Sequence, residues 1–140
     1  MFGSVTDGEL ERTLRLLLAA FYGAGVGYER ERSDKPAGLR THILVALGAA
    51  LFTVVSMFGF GDVGDPGRVA AQIVTGIGFL GAGAIIQSQT TVRGLTTAAT
   101  VWVTAAIGMA VGVGMYLMSL DTTVITLAIL QIHEVRKEVS

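Results

Sequence analysis

The sequence predicts an all-α membrane protein of five transmembrane helices, with the N-terminus outside the cell and the C-terminus in the cytoplasm. Three observations predict this fold class. Apolar residues make up 51% of the 140 residues and charged residues only 15%, whereas soluble domains carry about 25% charge. The apolar residues fall into runs near the roughly 20 residues that a helix needs to cross the hydrocarbon of a bilayer. The 19 glycines lie mostly inside or next to those runs, where small residues let helices approach closely in lipid.

The apolar runs predict five helices within one transmembrane domain that covers residues 1–140. Residues 94–120 hold no charged residue, and the apolar character continues to residue 132. A single helix over residues 94–132 would be about 58 Å long, nearly twice the hydrocarbon thickness. We therefore place a break at Gly112 and Gly114. The predicted helices span residues 10–28, 39–60, 69–87, 94–112 and 115–133.

The distribution of Lys and Arg predicts the orientation, because these residues concentrate on the cytoplasmic side of a membrane. With the N-terminus outside, the inner regions hold more basic residues than the outer ones, and the opposite orientation reverses that bias. The inner residues are Arg30, Arg32, Lys35, Arg40, Arg93, Arg136 and Lys137, and the outer residues are Arg12, Arg15 and Arg68.

Polar residues at the inner ends of the helices form the main candidate site. Glu29, Arg40 and Arg93 fall at the same predicted depth, at the inner ends of helices one, two and four. A charge left unpaired there is costly, so we expect these side chains to meet. Two interpretations stay open, an interfacial salt bridge or a cation or proton site. The predicted polar cluster comprises Glu29, Arg40, Arg93, Thr97 and Gln72.

Small and hydroxyl residues predict how the helices pack. Helix three is expected to sit centrally, approached closely on several sides; the alternative is a broken helix whose freed carbonyls coordinate an ion. Thr96, Thr100 and Thr104 of helix four form a polar stripe that is expected to donate hydrogen bonds between helices. The glycines expected at helix contacts are Gly76, Gly78, Gly81, Gly83, Gly108 and Gly112.

No enzymatic activity is predicted, because no nucleophile–base set, metal-ligand spacing or phosphate-binding motif is present. The chain has no cysteine, and His42 and His133 stand alone. No cofactor is expected, although Mg²⁺ stays a candidate ligand, with Glu29 and Asp121 as the candidate acidic ligands. The net charge of −1 provides no bulk attraction to nucleic acid.

Four motifs, GYERER, KPAGLRTH, RVAAQIVTGIGFLGAGAI and VRGLTTAATVW, follow one another between residues 23 and 114. Together they resemble the MgtC/SapB family of bacterial membrane proteins. The resemblance implies a five-helix, multi-pass domain of the bacterial inner membrane, in agreement with the charge distribution. The family-like polar positions are Glu29, Arg30, Arg40, Thr41, Arg68, Gln72, Arg93, Thr97 and Trp102.

The resemblance also implies a function. We expect a non-enzymatic regulatory membrane protein that acts in adaptation to low magnesium, to acid stress and, in pathogens, in survival inside host cells. The alternative is an ion (Mg²⁺ or H⁺) transporter or channel that uses Glu29, Gln72 and the threonine stripe. The expected partners are membrane lipid, other membrane proteins and further copies in a homo-oligomer, in the simplest case a dimer. Many members carry a cytoplasmic C-terminal domain. Because this chain stops at Ser140, it is expected to be either a short form without that domain or a part of a longer member.

Overall fold

The computed structural model describes the backbone of residues 2–138 and the side chains of residues 7–132. Within this part of the chain, five α-helices follow one another, and a short hairpin separates the third from the fourth. The elements are α1 (Phe2–Arg32), α2 (Leu39–Phe58), a 3₁₀ turn (Gly61–Val63), α3 (Pro66–Ala82), β1 (Ile86–Gln87), β2 (Val92–Arg93), α4 (Leu95–Val113) and α5 (Tyr116–Glu138).

Two of these helices, α2 and α4, are long and apolar enough to cross a membrane. The shorter apolar segment Tyr116–Ile132 of α5 adds a third apolar stretch, and α3 has 17 residues. The observed structure therefore agrees with the predicted helical class, and five crossings stay a prediction.

The centre of the bundle is the contact between α2 and α4, with α1 packed against both. The backbones approach closely because the facing residues are small. A Cβ atom added at Gly108 would collide with the backbone of Ala46, and one added at Gly112 would lie 2.8 Å from Thr53 Cβ. Real Cβ atoms essentially never lie that close to a neighbour, so these α4 positions require glycine. The buried alanines Ala46 and Ala50 of α2 complete the seam.

Helix α3 lies at the edge of the bundle, so the prediction that it sits centrally is wrong. Among its residues only Gly81 is buried, against Ala98 of α4. An added Cβ atom at Gly76 or Gly78 meets nothing within 4 Å. Glycine permits a close contact between helices but does not determine which segment makes it. The small residues that face the glycines of α4 lie on α2, and not on α3.

The predicted third helix, residues 69–87, ends five residues early, at Ala82. Gly83 closes it by donating its backbone N–H to Phe79 O at 3.2 Å. The chain then forms the two-stranded β1–β2 hairpin, in which Ile86 pairs with Arg93. Gly94 (φ +86°) turns the chain into α4, and an added Cβ atom there would collide with Ala84 O.

The predicted break of the last apolar run is confirmed. Helix α4 ends at Val113, and Gly114 adopts the left-handed conformation (φ 90°) that glycine reaches without steric cost. The backbone N–H of Gly114 bonds Val111 O at 3.0 Å. Helix α5 then begins at Tyr116.

A half-open groove separates α3 from α2. It has a volume of about 530 Å³ and is lined almost wholly by apolar atoms. We call it the α2–α3 groove; its walls are Thr41, Leu44, Val45, Gly48, Ala49 and Phe52 from α2, and Val69, Gln72, Ile73, Gly76, Ile77 and Leu80 from α3.

Candidate functional site

An ion pair is buried where α1 ends. Glu29 and Arg30 are 5% and 4% exposed, and Arg30 Nη1 lies 3.7 Å from Glu29 Oε2. Glu29 Oε1 also accepts a hydrogen bond from Ser33 Oγ at 2.9 Å. Arg30 Nη2 donates to Thr97 Oγ1, at the start of α4, at 3.2 Å. Ionised groups are rarely this buried unless they are paired, and the pair here is formed by sequence neighbours.

A fully buried histidine lies in the neighbouring helix. His42 of α2 has no exposed surface, and its Nδ1 is 2.8 Å from the backbone oxygen of Gly38. A carbonyl oxygen only accepts, so Nδ1 carries the proton and Nε2 of the neutral ring is an acceptor. The charged groups whose fields act on this ring are Arg30 and Glu29.

Two glycines of α1 bring these side chains together. An added Cβ atom at Gly23 would lie 2.5 Å from His42 O, and one at Gly27 would lie 2.8 Å from Leu39 Cα. Gly23, Gly27 and Arg30 are spaced four and three residues apart, so they share one face of α1. The face of α1 that packs against the start of α2 therefore also carries Arg30, which contacts α4.

Three buried atoms of this site have no hydrogen-bond partner among the described residues: Glu29 Oε2, Arg30 Nε and His42 Nε2. Two of them accept and one donates. Leaving a buried polar group unpaired costs about 1–3 kcal/mol. The buried polar cluster, which we define as Glu29, Arg30, His42 and Thr97, is therefore built at a cost to stability. A buried group without a partner in the protein calls for an explanation, such as a functional role or an ordered water.

The structure separates most of the predicted cluster. Arg40 and Arg93 are exposed, and Gln72 is exposed on the wall of the α2–α3 groove. Among the described side chains, Glu29 pairs with Arg30 and with neither of the two predicted arginines. Of the predicted partners, only Thr97 belongs to the buried polar cluster.

The remaining candidates lie elsewhere. Asp121 is exposed on α5. The described residues contain no group of three His, Cys, Asp or Glu side chains that is able to hold a metal ion. His133 lies outside the described side chains. Thr100 and Thr104 are buried, but each hydroxyl donates to a carbonyl of its own helix, Thr96 O at 2.6 Å and Thr100 O at 2.7 Å. The expected hydrogen bonds between helices are therefore replaced by bonds within α4.

A second arginine holds the opposite end of the bundle. Arg15 Nη1 donates to Gly112 O at 2.8 Å, and Arg15 Nε donates to the Tyr116 hydroxyl at 3.0 Å. Glu11, one turn earlier, pairs with the same guanidinium at 2.5 Å. The carbonyl of Gly112 is among the last four of α4, which lack partners within the helix. Arg15 thus ties α1 to the corner between α4 and α5.

Comparison with known proteins agrees with the resemblance of the motifs. The model of the MgtC family matches residues 16–138. "Putative magnesium transporter YhiD" of Escherichia coli (strain K12) is 50% identical over 129 residues, which cover 87% of this chain and 60% of the relative. "Protein MgtC" of Salmonella typhimurium (strain LT2) is 52% identical over 114 residues, which cover 81% of this chain and 48% of the relative.

"Protein MgtC" of Brucella abortus (strain 2308) is 49% identical over 121 residues, which cover 86% of this chain and 50% of the relative. The chain thus spans about half to three-fifths of the length of these curated relatives. No solved structure matches it. The match to the family model and the identity to these relatives show that the chain belongs to the MgtC family.

Proposed function

We propose that this chain is a five-helix domain of the bacterial inner membrane, with its N-terminus outside, and that it regulates other membrane proteins during adaptation to low magnesium. The magnesium link rests on the name of the YhiD relative. Acid stress and, in pathogens, survival inside host cells are further settings that the family resemblance supports. The regulatory role is not enzymatic.

The observation that carries this proposal is the pairing of Glu29 with Arg30. A carboxylate that is to bind Mg²⁺ needs further oxygen ligands in a near-octahedral arrangement. Here a guanidinium lies 3.7 Å from Oε2 of the buried acid, and its positive charge opposes a second cation at the same place. The other candidate acid, Asp121, is exposed on a different helix.

The exposed side of α3 supports action through other membrane proteins. Phe79 is 82% exposed, and Leu80 and Gly78 beside it are also exposed. Aromatic side chains next to small residues are suitable for packing against another helix in lipid, where van der Waals contact drives association. A homo-oligomer would use the same kind of contact.

A transporter is the second candidate, and one observation favours it. Glu29 Oε2 and His42 Nε2 are buried acceptors without a hydrogen-bond partner among the described residues, and buried acids and histidines bind and release protons in pumps and transporters. Residue Glu29 also belongs to the wall of a groove of about 380 Å³ between α1 and α5. This site is better suited to H⁺ than to Mg²⁺, because a proton needs no octahedral set of ligands.

Growth at low magnesium separates the two candidates. Cells that lack their own relative of this family would carry either the wild-type chain, Gly78→Leu on α3 or the matched Gly25→Leu on α1. Both glycines are exposed with nothing within 4 Å of an added Cβ atom. Regulation through α3 predicts that Gly78→Leu alone fails to support growth, at an unchanged protein level in the membrane. Normal growth with both glycine variants and loss of growth with Glu29→Gln would favour the transporter.

A further inference from the structure

The α2–α3 groove has the dimensions of a site for one hydrocarbon chain. Its α2 wall runs over residues 41–52, which is about 17 Å at the rise of an α-helix. The hydrocarbon of one leaflet is about 15 Å thick, half of a bilayer core of about 30 Å. The length of the groove therefore matches the thickness of the leaflet that one acyl chain spans.

The volume of the groove fits a single hydrocarbon chain better than a helix. A volume of about 530 Å³ spread over about 17 Å corresponds to a mean cross-section of roughly 30 Å². A helix about 10 Å wide needs roughly 80 Å². Carbon atoms in contact lie about 3.5–4.0 Å apart, so a single methylene chain fits a channel of this width. Gly48 and Gly76 keep the channel open, since nothing lies within 4 Å of an added Cβ atom at either position.

A free positive charge lies at one end of the groove. Leu44, Gly48 and Phe52 of the groove wall follow one another at every fourth residue, and Arg40 lies one turn earlier on the same row of α2. Arg40 is exposed and has no ion pair among the described side chains. The nearby carboxylate of Glu31 accepts a hydrogen bond from Leu39 N at 3.3 Å, on the side of α2 that packs against α1.

We propose that the α2–α3 groove binds one acyl chain of an anionic phospholipid and that Arg40 binds the phosphate of its headgroup. The inference depends on the proposed placement of α2 and α3 in the membrane. In that placement Arg40 lies at the inner surface, where the anionic lipids of the cytoplasmic leaflet attract basic residues. The apolar walls and the single basic residue at the mouth match the two parts of such a lipid.

The first test measures binding of defined lipids to the purified, delipidated chain by native mass spectrometry. Phosphatidylglycerol and phosphatidylcholine with the same acyl chains would be compared. The wild-type chain is expected to bind phosphatidylglycerol about fivefold more tightly, in proportion to the attraction of one basic residue. Arg40→Gln should remove this preference. The matched Arg68→Gln, in the first turn of α3, should retain it. An unchanged preference in Arg40→Gln would overturn the assignment of the headgroup.

Filling the groove tests the acyl-chain site. Gly48→Leu should weaken binding of both lipids several-fold, because its side chain occupies the channel. The matched Gly25→Leu lies on α1 outside the groove, where an added Cβ atom meets nothing within 4 Å, and should bind as the wild type does. Equal binding by the two variants would contradict the proposal.

A third test locates the bound lipid by photolabelling of the wild-type chain. Phosphatidylglycerol with a photoreactive group in its acyl chain would be reconstituted in vesicles with the wild-type chain, and the labelled peptides mapped. Labels are expected between residues 44 and 52 and between residues 73 and 80. Labels confined to α1 or α5 would refute the site. Efficient disulfide cross-linking of Gly76→Cys between two copies, with the groove unlabelled by lipid, would identify a second copy as the occupant and equally refute it.

Discussion

Arg30 Nη2 on α1 donates a hydrogen bond to Thr97 Oγ1 on α4, at 3.2 Å and 67 positions apart in sequence. Thr97 is 2% exposed, so this contact joins the first and fourth helices inside the bundle. The same guanidinium neutralises Glu29. Arg30 therefore has two roles, because it fixes the position of α4 on α1 and sets the charge of the buried polar cluster.

The ion pair predicts non-additive losses of stability. Glu29→Gln or Arg30→Met alone leaves an uncompensated polar or charged partner in the interior, and Arg30→Met is expected to lower the free energy of unfolding by about 3–5 kcal/mol. The double variant should lose less than the sum of the single losses. Unfolding in mixed micelles measures these values. The exposed Arg40→Met is the control, with an expected change within about 0.5 kcal/mol. Additive losses would show that the two side chains do not interact.

The surroundings of Gly108 and Gly76 predict opposite changes in stability when each glycine is replaced by alanine. Gly108→Ala places a Cβ atom against the backbone of Ala46 and should destabilise the fold by about 1–3 kcal/mol or more, as overpacking does. Gly76→Ala meets nothing within 4 Å and should stabilise α3 by about 0.5–1 kcal/mol. Thermal unfolding of the two purified variants compares them directly. A neutral Gly108→Ala would contradict the observed proximity of the helices.

The corner held by Arg15 predicts a graded loss of stability. Tyr116→Phe removes one hydrogen bond and should cost about 0.5–1.5 kcal/mol. Arg15→Met also removes the donor to the carbonyl of Gly112, so its loss should be larger. The same unfolding assay measures both changes. If Tyr116→Phe costs as much as Arg15→Met, the bond to the carbonyl contributes nothing.

The proposed orientation predicts which loops face the cytoplasm. The chain has no cysteine, so a single introduced thiol reports its own side of the membrane. Lys35→Cys, between α1 and α2, should be protected from an impermeant reagent in intact cells, while Asp62→Cys, between α2 and α3, should react. Labelling of both positions from outside would exclude the predicted crossing by α2.

The sequence predicted those features of the fold that depend on local sequence alone. Gly114 breaks the last apolar run because a left-handed residue ends a helix there. The central position of α3 was predicted wrongly from its glycines, since their neighbours are supplied by other segments. Gly108 and Gly112 of α4 were predicted at helix contacts, and the structure places both against α2. Their spacing does not reveal which helix they face.

Only part of the candidate site was predicted, because its assembly also depends on which segments approach one another. Glu29 was identified from its depth in the membrane, and Thr97 was named among the family-like polar positions. Arg30 was named among the family-like positions and counted with the inner basic residues that set the orientation, although its spacing from Gly23 and Gly27 already indicates a buried face. The burial of His42 depends on the approach of α1 to α2, which is a tertiary property.

Uptake of magnesium by liposomes tests the central claim most directly. The purified chain would be reconstituted with a Mg²⁺-sensitive dye inside the vesicles, and the dye signal followed after external Mg²⁺ is added. A regulatory protein whose buried carboxylate is neutralised by Arg30 predicts no saturable uptake above that of protein-free vesicles. Saturable uptake that disappears in Glu29→Gln or in Asp121→Asn would contradict the account and identify the chain as a transporter.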